Sequence, residues 1–143
     1  MKKILILLFL TATFYNAIAQ KTDVADTIVV GNIEKCCPGG FEAFNNYIAK
    51  YVRAPPDAYG GHKVGTTYIS FVIEPDGNVS NVVTMLAAGY GMDEEAARVI
   101  SASNHWLPVT IDDKPVRTLC RAAVEFFGDF PMHKMWVRAK AID

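Results

Sequence analysis

The stretch TYISFVIEPDGNVSNVV, residues 67–83, admits one local structure. Thr67, Ile69, Phe71 and Ile73 fall on one face of an extended chain, and Tyr68, Ser70 and Val72 on the other. Successive strand side chains point to opposite faces, so this is the period of a half-buried strand. Pro75-Asp76-Gly77-Asn78 supplies turn chemistry, with Gly77 free to adopt positive φ. Val79, Asn81, Val83 and Met85 resume the alternation on the return. A β-hairpin is predicted, and the rest of the chain must pack against it.

Two amphipathic helices flank it. Phe41, Phe44, Tyr47, Ile48 and Tyr51 recur at spacings of three and four, a helical stripe over 41–52 that Pro55 and Pro56 end. Met92 to Ser103 forms the second helix, buried through Ala96, Val99 and Ile100. Asp93, Glu94 and Glu95 stand at its positive end, where Asp93 is placed to cap free amides. Trp106, between that helix and Pro108, is the large apolar anchor of the loop. In the last strand Val116, Thr118, Cys120, Ala122, Val124 and Phe126 share one face. Arg117, Leu119, Arg121, Ala123 and Glu125 share the other. The order helix, strand, strand, helix, strand predicts a two-layer α+β domain. Its sheet has three antiparallel strands, the first of them central and the last at the edge, with both helices on one face. Residues 20–35 read as a short linker with a β-like TIVV, 36–127 as the domain, and 128–143 as a tail with at most a terminal helical turn.

The chain has 143 residues, enough for one ordinary domain. MKKILILLFLTATFYNAIAQ has a basic start, an apolar run and the small-residue ending Ala17-Ile18-Ala19. It reads as a signal peptide cleaved after Ala19, which places the mature domain outside the cytoplasm. The alternative is an uncleaved membrane anchor, although the apolar run is short of the ~20 residues that span a bilayer. Without Lys2 and Lys3, the 14 basic residues fall to 12 against 15 acidic ones. No basic stripe remains, so nucleic acid is not an expected partner.

Little in the chain suggests chemistry. His62, His105 and His133 are scattered, and no spacing puts two ligands on one face. The tail run Met132-His133-Lys134-Met135 has soft donors but reads as plain tail. Gly89 and Gly91 lie between a strand and a helix, but no phosphate-binding lysine follows and Asp93, Glu94 and Glu95 would repel an anion. No catalytic constellation, metal site or cofactor is expected. Cys36, Cys37 and Cys120 are the three cysteines. An exported chain can hold a disulfide, and the candidate bridge joins Cys36 or Cys37 to Cys120, with Cys37–Cys120 nominated. The competing reading is that Cys120 is a buried free thiol that packs as a small hydrophobe.

Four blocks, in order, carry a resemblance. They are PGGFEAFNNYIAKYVRAP, VGTTYISFVIEPDGNVSNV, GYGMDEEAARVISASNHWLP and DDKPVRTLCRAAVEF. Together they resemble the C-terminal domain of TonB-family energy transducers over about residues 37–127. Where that family commonly has Tyr-Pro after its first helix, this chain has Ala54-Pro55. The resemblance implies a protein-binding module and not an enzyme. The implied partner is a TonB-dependent outer-membrane receptor or similar envelope protein, whose extended TonB-box-like segment pairs with the last strand. The residues so implicated are Val116, Arg117, Thr118, Leu119, Arg121 and Ala123. The resemblance also implies a periplasmic location for the cleaved domain. An uncleaved N-terminus would instead imply an inner-membrane-anchored energy transducer for outer-membrane transport, facing the periplasm and working with an ExbB–ExbD type motor.

Overall fold

The computed structural model describes residues 27–129 and 134–142. The proposed signal peptide and His133 lie outside the described residues. Along the chain run β1 (Ile28–Val30), α1 (Ile33–Cys36), α2 (Gly40–Tyr51), α3 (Pro56–Gly60), β2 (Gly65–Ile73) and β3 (Val79–Leu86). Then follow α4 (Met92–Ser101), the small ribbon β4 (Thr110–Ile111) and β5 (Lys114–Pro115), β6 (Arg117–Asp129) and β7 (Lys134–Ala141).

The hairpin is β2 and β3. Its turn is closed by the Gly77 amide donating to the Glu74 carbonyl at 2.9 Å, and by Asp76 accepting from the Asn78 amide at 3.0 Å. Gly77 has φ +82°, and a Cβ there would stand 2.7 Å from the Trp106 carbonyl oxygen. Glycine is therefore required twice, for its left-handed backbone and for close approach.

The helical stripes form as their periodicity predicts. Phe44 and Ile48 of α2, and Met92, Ala96, Val99 and Ile100 of α4, join Ile69, Phe71, Ile73, Cys120, Ala122, Val124 and Phe126 in one core. The α+β layering holds, with the helices on the inner face of the sheet. Trp106 is 4% exposed, its ring centroid 5.5 Å from Phe44 and 5.3 Å from Phe71.

The sheet itself differs from the expectation. It has five strands in the order β1-β6-β2-β3, with β7 also paired to β6, and it is mixed because β1 runs parallel to β6. β2 lies antiparallel along Thr118–Phe126 of β6, so β1 and β7 must share the opposite side. The last long strand is thus interior and not an edge. The folded body also exceeds residues 36–127, since β1 and α1 come from the supposed linker and β7 from the supposed tail. Glu125 explains why the tail extends along β6. Its carboxylate meets Arg138, directly opposite in register, at 2.6 Å and Lys140 at 3.0 Å, a cross-strand charge pairing.

Asp93 does not cap α4. Gly91, at φ +78°, occupies the cap position without a side-chain bond. The carboxylate reaches backward instead, accepting from the amides of Ala88 at 2.7 Å and Gly89 at 2.8 Å and from the Thr67 hydroxyl. Burial pushes its pKa up, but the hydrogen bonds from Thr67, Ala88 and Gly89 outweigh that and hold it below the ordinary 3.8. A carboxylate with a lowered folded pKa stabilises above its unfolded pKa and loses that contribution as pH falls through the folded value. Asp93→Ala orphans two amides and a hydroxyl, at a cost of roughly 1–3 kcal/mol at pH 7. Thermal melts of wild type and variant are expected to differ at neutral pH and converge below about pH 4.

Candidate functional site

β6 is where the implicated residues lie, and its alternation divides them. Val116, just before the strand, and Thr118 are fully buried. The Thr118 hydroxyl accepts from the Val109 amide at 2.9 Å and donates to the Val116 carbonyl at 3.0 Å. Neither side chain can touch a partner. Arg117, Leu119 and Arg121 lie on the outer face, half-buried. Ala123 is on that face too but is 2% exposed, opposite Tyr68 and Lys140 in the two ladders. Arg117 is engaged with Glu74 at 3.0 Å. The Arg117 hydrogen bond, then that of the Ser80 hydroxyl, holds the Glu74 carboxyl below the usual carboxylate range.

The free side of β6 is shared between two short neighbours. β1 covers Arg117–Leu119, with Ile28 opposite Arg117 and Val30 opposite Leu119. The Gly31 amide donating to the Leu119 carbonyl at 2.9 Å closes that ladder. β7 takes over at Ala122, opposite Ala141, and follows β6 to Asp129. Between the two ladders opens a cleft of about 490 Å³, lined by Val30, Gly31, Asn32, Lys35, Cys36, Val109, Leu119, Arg121 and Ile142. Two cationic side chains, Lys35 and Arg121, therefore border it.

The other edges are blunted. The outward amide of Ala139 on β7 donates to Asn45 Oδ1 of α2 at 2.8 Å, so a helix covers that strand. β3 has one neighbour, but its pairing with β2 shifts register between Ser70 and Val72, and Asn81 sits at φ 48°. A bulge of this kind twists an edge away from strand addition. β1 is different. It is three residues long, with Ile28 50% and Val30 70% exposed.

The cysteines are also rearranged from expectation. Cys36, not Cys37, faces Cys120. Both sulfurs lie against Gly31, and both residues are buried. The Cys37 thiol points to the Pro38 carbonyl oxygen at 3.7 Å. All three are free thiols. Consecutive residues at a helix end point about 100° apart, so only one of the pair can face the sheet.

The family model of the Gram-negative bacterial TonB protein C-terminal matches residues 53–127, just over half of the chain. The chain belongs to that family. Neither the curated proteins nor the solved structures gave a match. As a TonB C-terminal family member, the chain has a role related to outer-membrane transport in the Gram-negative envelope, and domains of this family interact with outer-membrane receptors. No helix among the described residues is long and apolar enough to cross a membrane. The matched span begins after α2, so it holds β6 as far as Phe127 and most of the core but neither β1 nor β7.

Sequence reasoning found β6 and its antiparallel pairing with β2, and missed its other two neighbours, β1 and β7. The β-branched run Thr27–Val30 was a signal for β1, but nothing in it named a partner about 90 residues away. Lys35, Cys36 and Ile142 line the cleft only because that long-range pairing forms.

Proposed function

We propose that this TonB C-terminal family member is an exported, non-enzymatic binding module that captures an extended segment of an outer-membrane receptor by strand addition. The docking side is the flank of β6 at Arg117–Arg121, of which β1 now covers Arg117–Leu119. The observation that carries this reading is the weakness of β1 as an occupant. A net backbone hydrogen bond contributes about 0.5–1.5 kcal/mol, and three residues make few of them. A longer partner segment in the same slot gains more bonds and covers the cleft beyond Leu119. Main-chain pairing supplies the affinity, and neighbouring side chains select the sequence. A segment that takes the place of β1 runs parallel to β6. Lys35 and Arg121 favour an acidic side chain on it.

Titration of the isotope-labelled protein with a TonB-box peptide tests this. Backbone amides of residues 117–121 are expected to shift, together with those of Ile28–Gly31 as β1 leaves. Arg121→Glu, on the outer face, is expected to change stability by no more than about 0.5 kcal/mol and to weaken binding of an acidic peptide. Absence of shifts at millimolar peptide would remove β6 as the docking strand.

A further inference from the structure

We infer that Cys36 and Cys120 are joined by an intrachain disulfide in the envelope, fastening α1 to β6 immediately behind β1. Three observations converge on this pair. Both are buried in the same core cluster. A Cβ built on Gly31 would lie 3.0 Å from the Cys36 sulfur and 3.3 Å from the Cys120 sulfur, so a single point of the backbone touches both. Cys36 also lines the cleft between the β1 and β7 ladders. The third thiol, Cys37, is turned toward Pro38.

The pair is chemically asymmetric. The Cys120 hydrogen bond, opposed by burial and aided by the Asn32 backbone, lowers the Cys36 thiol to about 7. The same hydrogen bond, with burial and the neighbouring Cys36 charge, pushes the Cys120 thiol far up. Thiol–disulfide exchange requires a thiolate as attacker; Cys36 lines the cleft and Cys120 does not, so Cys36 is the attacking sulfur and Cys120 the resolving one. The co-reactant is a small-molecule or protein disulfide. The Cys36 thiolate attacks one of its sulfurs, forms a mixed disulfide and expels the other as a thiolate. Cys120 gives its proton to that thiolate and attacks the Cys36 sulfur. The Cys36–Cys120 bond forms, the mixed disulfide breaks, and the second sulfur departs as a thiolate that takes up the proton Cys36 had released. Two thiols of the protein are oxidised and one external disulfide is reduced to two thiols.

The bridge bears on partner capture without depending on it. It holds α1 against β6, so β1 can leave its slot only by swinging about Gly31 and Asn32, and the N-terminal segment stays attached to the domain. The inference rests on an envelope location, and its test counts thiols, so its failure is distinguishable from failure of peptide binding.

The full chain, recovered from the cell envelope, is alkylated under denaturing conditions and its mass compared before and after reduction. One alkylated cysteine is expected without reduction and three with it, and peptide mapping should join Cys36 to Cys120. Cys37→Ser is expected to give none without reduction and the same linked peptide. Purified reduced protein should reach the same state with oxidised glutathione, whereas Cys36→Ala should retain two alkylatable thiols. Three alkylated cysteines in the wild-type chain, both from the envelope and after oxidised glutathione, overturn the inference. So does a linked peptide containing Cys37.

Discussion

Trp106→Ala is expected to lower the unfolding free energy by about 3–5 kcal/mol, as truncation of a buried aromatic generally does. That is a large share of the ~5–15 kcal/mol by which a domain this size is stable. The ring packs between Phe44 of α2 and Phe71 of β2, so its loss opens a void between the helical layer and the sheet. Its Nε1 donates to the Ser103 hydroxyl at 2.9 Å, and that hydroxyl is in turn bonded to the Ile100 carbonyl at the end of α4. The backbone of the same residue is tied to the hairpin, the Trp106 amide donating to the Gly77 carbonyl at 3.0 Å. Alanine keeps that last bond and loses the rest. Chemical denaturation should show a lower midpoint. A variant that unfolds like wild type would mean that the ring contributes nothing to the core, against its 4% exposure.

Gly31→Ala is expected to act at the β1 margin of the sheet, and on two observables at once. A Cβ at Gly31 would stand 2.2 Å from Thr118 Cγ2. Thr118 cannot rotate away without breaking its bonds to Val109 and Val116. The strain is relieved only if Gly31 retreats and its bond to the Leu119 carbonyl opens. Overpacking of this kind costs about 1–3 kcal/mol, and here the cost falls on β1. Stability should drop, while affinity for an extended peptide on β6 should rise, because the occupant of the slot has been weakened. Calorimetric titration and a melt on the same sample measure both. If the variant is destabilised but binds no more tightly, β1 is not a competitor for the partner's position.

The parts of this fold that were legible in the sequence are those whose determinants are local. The turn at Asp76-Gly77 announces its hairpin, the stripes of α2 and α4 announce their buried faces, and the alternation from Val116 to Phe126 announces β6. Trp106 could be assigned to the core because a tryptophan beside a helix end and before Pro108 has few other places to go. β7 was missed because its lysines, arginine and alanines are good helix formers, although Lys134–Ala141 also alternates with period two. What decides between the two is tertiary. Glu125 pairs with Arg138 and Lys140 across the ladder, and Asn45 of α2 takes the Ala139 amide. β1 is too short to display a period. The choice of Cys36 over Cys37 turns on the rotation of a single-turn helix, which residue types do not specify. The edge assignment of β6 failed for the same reason as these, since being an edge depends on what else pairs there.

The division of one side of β6 between β7 and β1 also sets an order of events along the chain. β7 reaches β6 through a short connection, whereas β1 must close a loop of about 90 residues. The entropic cost of closure grows with loop length by about 0.6 kcal/mol per doubling, and a three-residue ladder returns little against it. In a chain that emerges N-terminus first, Ile28–Val30 appears before any of the sheet exists and waits until β6 is in place. β7 then zips along Ala122–Asp129 and defines how much of the strand remains. The Arg117–Leu119 stretch is therefore the last part of the sheet to be completed and the first to reopen in local fluctuations, which leaves the incoming N-terminal strand in direct competition with any extended segment already present.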